Sequence, residues 1–148
     1  MLHIQQRSLA MFDRCLYFNT NVFSRKIEKV WIDAYSELGL APAHAYLLRL
    51  VLDKPGLVQR DIVTELSLDK STITRFVDKM VIEGYLYRAA SPNGNLKEHC
   101  IFPTEKALAL KEPLNRIGAD LYQKMQALFS VEELKSTVDW IRKASNKL

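Results

Sequence analysis

The sequence predicts a mainly α chain with a small β wing, a winged helix-turn-helix core flanked by N- and C-terminal dimerisation helices. Three observations carry that prediction. Apolar residues recur at helical spacing over most of the 148 residues. The period shifts towards two only after Gly84. A polar loop containing Asn93-Gly94, a strong hairpin signal, separates the two alternating runs. The expected organisation is one intertwined domain, with residues 1–38 and 107–148 as the helical dimerisation region and 39–106 as the winged helix-turn-helix.

From Gln6 to Leu38, Leu9, Phe12, Leu16, Phe23, Ile27, Val30 and Ala34 step mostly by three or four, which predicts a long amphipathic helix. Met11, Tyr17, Phe18, Val22 and Trp31 widen its apolar surface beyond one stripe, so it should pack on two sides, the second being a partner subunit. Gly39 is placed to cap it. Pro42 then sits in the first turn of a helix running to about Lys54 and ended by Pro55-Gly56, with Leu47, Leu48, Val51 and Leu52 as its buried face. Gln59 to Leu66 predicts a short helix with Ile62, Val63 and Leu66 inward. Ser67-Leu68 make the turn, and Asp69 caps the helix that follows. There Ile73, Phe76, Val77, Met80 and Val81 form the buried stripe.

After Gly84, Tyr85–Ala89 and Glu98–Phe102 alternate as a hairpin. Beyond Thr104, Leu110, Leu114, Ile117, Leu121, Met125 and Leu128 again read as a helix, with Pro113 marking a kink or a joint near its start. Ser130-Val-Glu-Glu133 is a capping box opening a last helix with Leu134, Val138 and Ile141 inward.

Composition narrows the function classes. A hydrophobic fraction of 48% with 26% charge is that of a globular chain with a genuine core. No apolar run is long enough for a membrane span and no leader pattern opens the sequence, so the expected location is the cytoplasm. Cys15 and Cys100 form no CxxC pair, and His3, His44 and His99 do not cluster, so neither a disulfide scaffold nor a metal site is expected, and no cofactor is implied. Catalysis by Cys15 finds no nearby histidine, and the chain lacks a Gly-rich phosphate loop or paired-carboxylate motif; an enzyme is not expected. The net charge is +4, yet residues 57–106 carry seven basic and seven acidic groups. Any polyanion must therefore be recognised by orientation of a few side chains.

The face opposite the Ile73 stripe carries Ser71, Thr72, Arg75 and Lys79, with Lys70 at its start. Short hydrogen-bonding groups near a helix N-terminus with longer cations behind suit entry into the DNA major groove. Arg88 on the first wing strand is either a phosphate contact or a structural partner of Asp78.

The chain resembles the multiple-antibiotic-resistance regulator (MarR) family over nearly all its length. The resemblance rests on Leu38-Gly-Leu-Ala-Pro42, Asp69-Lys-Ser-Thr-Ile-Thr-Arg75 with Val77-Asp78, Glu83-Gly84-Tyr85 and Thr104-Glu-Lys-Ala107. It implies a homodimeric transcription factor, usually a repressor, bound to a near-palindromic double-stranded DNA operator, with Ser71, Thr72, Thr74, Arg75 and Lys79 facing the major groove and the wing reaching the minor groove. Relatives carry Asp-x-Arg at the wing tip where this chain has Asn95 and Lys97, so the wing should anchor by charge more than read groove shape. Ala41 and Val58 stand where relatives often have a Ser or Thr cap, a loss of about 1 kcal/mol each.

The resemblance also implies an effector pocket between the winged core and the dimerisation helices. Trp31, Tyr35, His44 and Arg49 are the residues expected to reach it. Arg49, set among Leu47, Leu48, Leu50 and Val51, either holds a small aromatic or anionic effector or is paired within the protein. One branch of the family senses organic hydroperoxides through a cysteine near Cys15 held by tyrosines. Pro42 and Ala45 occupy the tyrosine positions here, leaving Tyr35 and Tyr46 as substitutes; the other reading of Cys15 is a small buried hydrophobe. A protein-interaction adaptor on the same fold, without DNA binding, is the alternative function.

Overall fold

A computed structural model describes residues 11–91 and 98–148. Helix α1 spans Leu16–Tyr35, and a 3-10 turn at Ser36–Leu38 separates it from Gly39, whose φ of 66° closes the segment. Helix α2 is Pro42–Asp53, strand β1 Leu57–Val58, α3 Gln59–Leu66 and α4 Lys70–Ile82. Strands β2 (Leu86–Ala90) and β3 (His99–Pro103) form the wing, and α5 (Glu105–Leu108), α6 (Lys111–Leu128) and α7 (Val131–Ser145) complete the chain. The predicted N-terminal helix is shorter than expected among the described residues. Residues 11–14 form a turn, and Cys15 is the N-cap of α1, its sulfur accepting from the Phe18 N–H at 3.5 Å.

The helix-turn-helix forms as its stripes demand. Ile62 of α3 and Ile73, Val77 and Met80 of α4 are buried against Leu47, Leu48 and Val51 of α2. A fully buried aliphatic side chain contributes roughly 1.5–3 kcal/mol, so this shared layer holds the three helices together. Ser67 makes the turn in the left-handed conformation, φ 51°, with its N–H bonded back to α3. Phe76 and Val81 are only half-buried.

Strand β1 has no forecast in the periodicity. Two residues carry no readable alternation, yet Leu57 pairs Ile101 and Val58 pairs Cys100, making a three-stranded antiparallel sheet in the order β1-β3-β2. In the wing, Arg88 pairs Ile101 and Tyr87 pairs Phe102, whose rings stack at 5.5 Å. The Asn93-Gly94 turn and the tip residues Asn95 and Lys97 lie outside the described residues.

Thr104 fastens the base of the wing. Its hydroxyl donates to the Gly84 carbonyl at 2.6 Å and accepts from the Ala107 N–H, capping α5. Pro113 falls in the first turn of α6, after a break at Ala109-Leu110, so it marks a joint. Leu114, Ile117, Leu121 and Met125 are buried, and Arg116 reaches Glu37 at 2.8 Å to tie α6 to the end of α1.

The expectation for α7 needs correction. Its capping box is present, with the Ser130 hydroxyl accepting from Glu133 N–H and the Glu133 carboxylate accepting from Ser130 N–H. None of its residues is buried in the single chain, however: Leu134 is half-buried, and Val138 and Ile141 remain 46% and 44% exposed. With Leu16, Tyr17, Phe18 and Phe23 of α1 and Tyr122 of α6 they leave a broad apolar surface open. Among the described residues no helix is long and apolar enough to cross a membrane.

Candidate nucleic-acid interface

Burial of one face of α4 turns the other outward. Lys70, Ser71, Arg75 and Lys79 are exposed, while Thr72 and Thr74 are half-buried at the margins. The helix start is set by Asp69, whose carboxylate accepts from the Thr72 N–H at 3.3 Å and from the Ser71 hydroxyl at 2.9 Å. Hydrogen bonding by the Thr72 side chain, then by that of Ser71, holds its carboxyl below the ordinary carboxylate range. Arg75 donates loosely to the Thr72 hydroxyl at 3.4 Å, and Lys79 lies 3.7 Å from Glu83 one turn on. Lys70 and Arg75 have no ion pair among the described residues. Two unneutralised cations beside small hydroxyls are what a phosphate backbone with accessible base edges requires.

Two residues expected on this face are otherwise engaged. The Thr74 hydroxyl donates to Lys70 O at 2.9 Å and accepts from Gln59 Nε2 at 2.6 Å, so it faces α3. Arg88, with its side chain 28% exposed, forms an ion pair with Asp78 of α4. The ion pair is the partner the sequence offered for Arg88 beside a phosphate contact. Asn95 and Lys97 lie outside the described residues.

Three contacts that orient this surface are not legible in the sequence. Gln59 is the first residue of α3 and bonds Thr74 across the helix-turn-helix. Arg60 pairs with Glu98 at 3.1 Å, tying α3 to the foot of β3. Lys106 donates to Glu83 O at 2.7 Å and lies over the Tyr85 ring, closing the C-terminal end of α4. Each is a long-range polar contact, which periodicity does not encode.

A second site lies where α1, α2, α6 and α7 meet. A cavity of about 350 Å³ is walled by Phe23, Ile27, Trp31, Tyr46, Leu121, Met125, Leu134 and Ile141, with Arg49 and Gly118 at its polar end. Trp31 and Arg49 both line it, and the Trp31 indole N–H donates to the Tyr46 hydroxyl at 3.0 Å. Arg49 lies 5.7 Å from the Tyr46 ring centroid and against Gly118, where a Cβ would come within 2.8 Å of the guanidinium nitrogens. No carboxylate pairs with it among the described residues.

Tyr35 and His44 do not line the cavity. Tyr35 is fully buried; burial raises its pKa, and the charge of Arg49 and hydrogen bonding to its guanidinium oppose this. His44 sits on the other side of α2, edge-on to Phe76 at 4.8 Å. Burial, then the Lys79 charge, lowers its pKa, with Glu83 opposing. The causes differ: Tyr35 ends α1 inside the core, and His44 lies on a turn of α2 that faces α4. Cys15 and Tyr35 stand at opposite ends of α1, roughly 30 Å apart at 1.5 Å per residue. Tyr46 is bound to Trp31. Within one chain no tyrosine is brought to Cys15 by either substitution. Among the described residues no cluster of ligating side chains could hold a metal.

Residues 38–94 match the MarR family. The HTH-type transcriptional regulator YybA of Bacillus subtilis, itself uncharacterised, is 23% identical over 117 residues, 79% of this chain and 77% of that protein. A MarR family transcriptional regulator from Listeria monocytogenes, complexed with a 26mer DNA, superposes with a TM-score of 0.74 at 21% identity, covering 89% of this chain and 87% of that one. The PcaV transcriptional regulator from Streptomyces coelicolor, in complex with its natural ligand, gives 0.72 at 21% identity over 88% and 94%. At these identities the structural likeness is one of fold.

Proposed function

We propose that this chain is a sequence-specific DNA-binding repressor of the MarR family, active as a homodimer and released by a small ligand, a reading supported by the match of residues 38–94 to that family and by the winged-helix fold. The observation that carries the reading is the outward face of α4, where Ser71, Arg75 and Lys70 stand exposed on a helix whose opposite side is locked into the core. The Listeria relative complexed with DNA supports the same assignment.

Residues 1–38 and 107–148 are the dimerisation region in this reading. The open apolar surface of α1, α6 and α7 supports it, because a surface of that extent on an isolated chain is an aggregation hazard. The cavity at Arg49 supports a ligand with an anionic group and an apolar body, held by the guanidinium and the aromatic walls. Release by oxidation through Cys15 is the less supported route, given its distance from Tyr35.

Binding-site selection from random duplexes, followed by footprinting, tests the assignment. The expected outcome is protection of two half-sites about 10 bp apart, centre to centre, with log Kd rising steeply with log salt. Arg75→Ala should abolish preference for the selected duplex while the dimer stays folded. Unchanged preference would remove α4 from the recognition role, and absence of salt-dependent duplex binding would leave the adaptor reading in its place.

A further inference from the structure

We infer that Gln59 is a positioning residue for DNA recognition, fixing the roll of α4 through Thr74 while touching no base itself. The inference rests on the DNA-binding reading above. Its observation is the 2.6 Å bond from Gln59 Nε2 to Thr74 Oγ1, between two half-buried side chains on different helices of the helix-turn-helix.

Ile62, Ile73 and Val77 of these helices lie in the shared apolar core. The hydrophobic driving force is non-directional. A helix with its side chains is about 5–6 Å in radius, so a 20° roll of α4 carries the tip of Ser71 or Arg75 by roughly 2 Å. Hydrogen bonds to base edges are lost over a few tenths of an ångström. A directional contact adds to core packing in holding the roll.

Thr74 is built for that task. Its single hydroxyl proton goes to Lys70 O at 2.9 Å, so the oxygen meets Gln59 only as an acceptor, and the amide must present its NH2. The chain Gln59 to Thr74 to Lys70 backbone is thereby polarised in one direction and has one arrangement. It also anchors to the first turn of α4, the turn that carries Ser71. Gln59 is the first residue of α3, and Arg60 beside it is tied to Glu98 at the wing. The roll of the reading helix is thus referenced to the same segment that holds the foot of the wing.

The test uses full-length Gln59→Met, Thr74→Val, Thr74→Ser and the Gln59→Met/Thr74→Val double variant, each checked for folding by circular dichroism. The probes are a duplex selected by the wild-type protein and a scrambled duplex of equal length. Expected are losses of about 3–10-fold on the selected duplex for Gln59→Met and for Thr74→Val, no change on the scrambled duplex, a double variant no weaker than the worse single one, and near wild-type binding by Thr74→Ser. A merely structural role would lower the thermal midpoint and weaken both duplexes alike. Multiplying losses in the double variant would show independent contacts and overturn the inference, as would unchanged preference in Gln59→Met. If the wild type selects no duplex at all, the DNA reading fails with it; selection by wild type and variants alike overturns the positioning role alone.

Discussion

Arg88 is the residue on which the geometry departs most usefully from bulk charge. Its guanidinium is largely shielded, 28% exposed, and paired with a half-exposed Asp78 on α4, so wing and reading helix are joined by one ion pair. Exposed pairs contribute about 0.2–1 kcal/mol and this one lies at the upper end because one partner is partly desolvated. A double-mutant cycle with Arg88→Gln and Asp78→Asn, read by urea unfolding at one protein concentration, should give a coupling of about 1 kcal/mol. DNA binding separates a strut from a contact. Each phosphate neutralised adds about 0.9 to the salt slope, so a dimer losing two arginine contacts would drop by about 1.8. As a strut, Arg88→Gln should leave the slope unchanged and lower preference for the selected duplex. The exchanged pair, Asp78→Arg with Arg88→Asp, keeps net charge and should recover most of the coupling. A slope reduced by nearly two, with no coupling in the cycle, would refute the strut.

Three other outcomes are expected from the same geometry. Thr104→Ala removes the cap of α5 and the donor to the Gly84 carbonyl, about 1 kcal/mol each, so urea unfolding should show a loss of about 2 kcal/mol that Thr104→Ser restores. Gly118→Ala drives a methyl against the Arg49 guanidinium, the flexible end of a side chain; calorimetric titration with benzoate as the anionic aromatic probe should show at least a tenfold weaker affinity with the thermal midpoint not lowered, and unchanged affinity would remove Arg49 from the pocket's chemistry. For His44, a folded pKa below its unfolded value means that the unfolded chain binds the proton more readily, so stability is full above about pH 6.5 and declines as pH falls through that value. His44→Gln should flatten the decline in urea midpoint between pH 7.5 and 5.5; an unaltered slope would place the titration elsewhere.

The helices were legible because their stripes are buried by local chain neighbours. α2, α3 and α4 lie within 41 residues of one another, and Leu47, Leu48, Val51, Ile62, Ile73 and Val77 all end inside the core as their spacing requires. Helix α7 obeys the same periodicity with a different result, since Val138 and Ile141 face an open cavity. Spacing specifies that a face is apolar, not which surface covers it. β1 was illegible for the opposite reason: two residues cannot display a period, and Leu57 and Val58 are strand only because β3 offers Ile101 and Cys100 as partners.

The candidate site shows the same division in polar form. Opposition to the Ile73 stripe correctly identifies what leaves the core, and Ser71, Arg75 and Lys79 are exposed accordingly. It cannot identify which polar groups a neighbouring element captures. Thr74 is taken by Gln59, 15 residues earlier, and Arg88 by Asp78, 10 residues earlier. Arg49 is the complementary case: hydrophobic neighbours in sequence pointed to a cation needing an anion, and its surroundings in space are an aromatic ring and a glycine, with no carboxylate paired to it among the described residues. Arg49 is half-buried, and a cation partly withdrawn from water is favoured by an anion that completes it. The residues that leave the core and stay unpaired, Lys70 and Arg75 on α4 and Arg49 in the cavity, are therefore where this protein should meet its two kinds of anion. Those captured by neighbours instead set how rigidly the first of those anions is read.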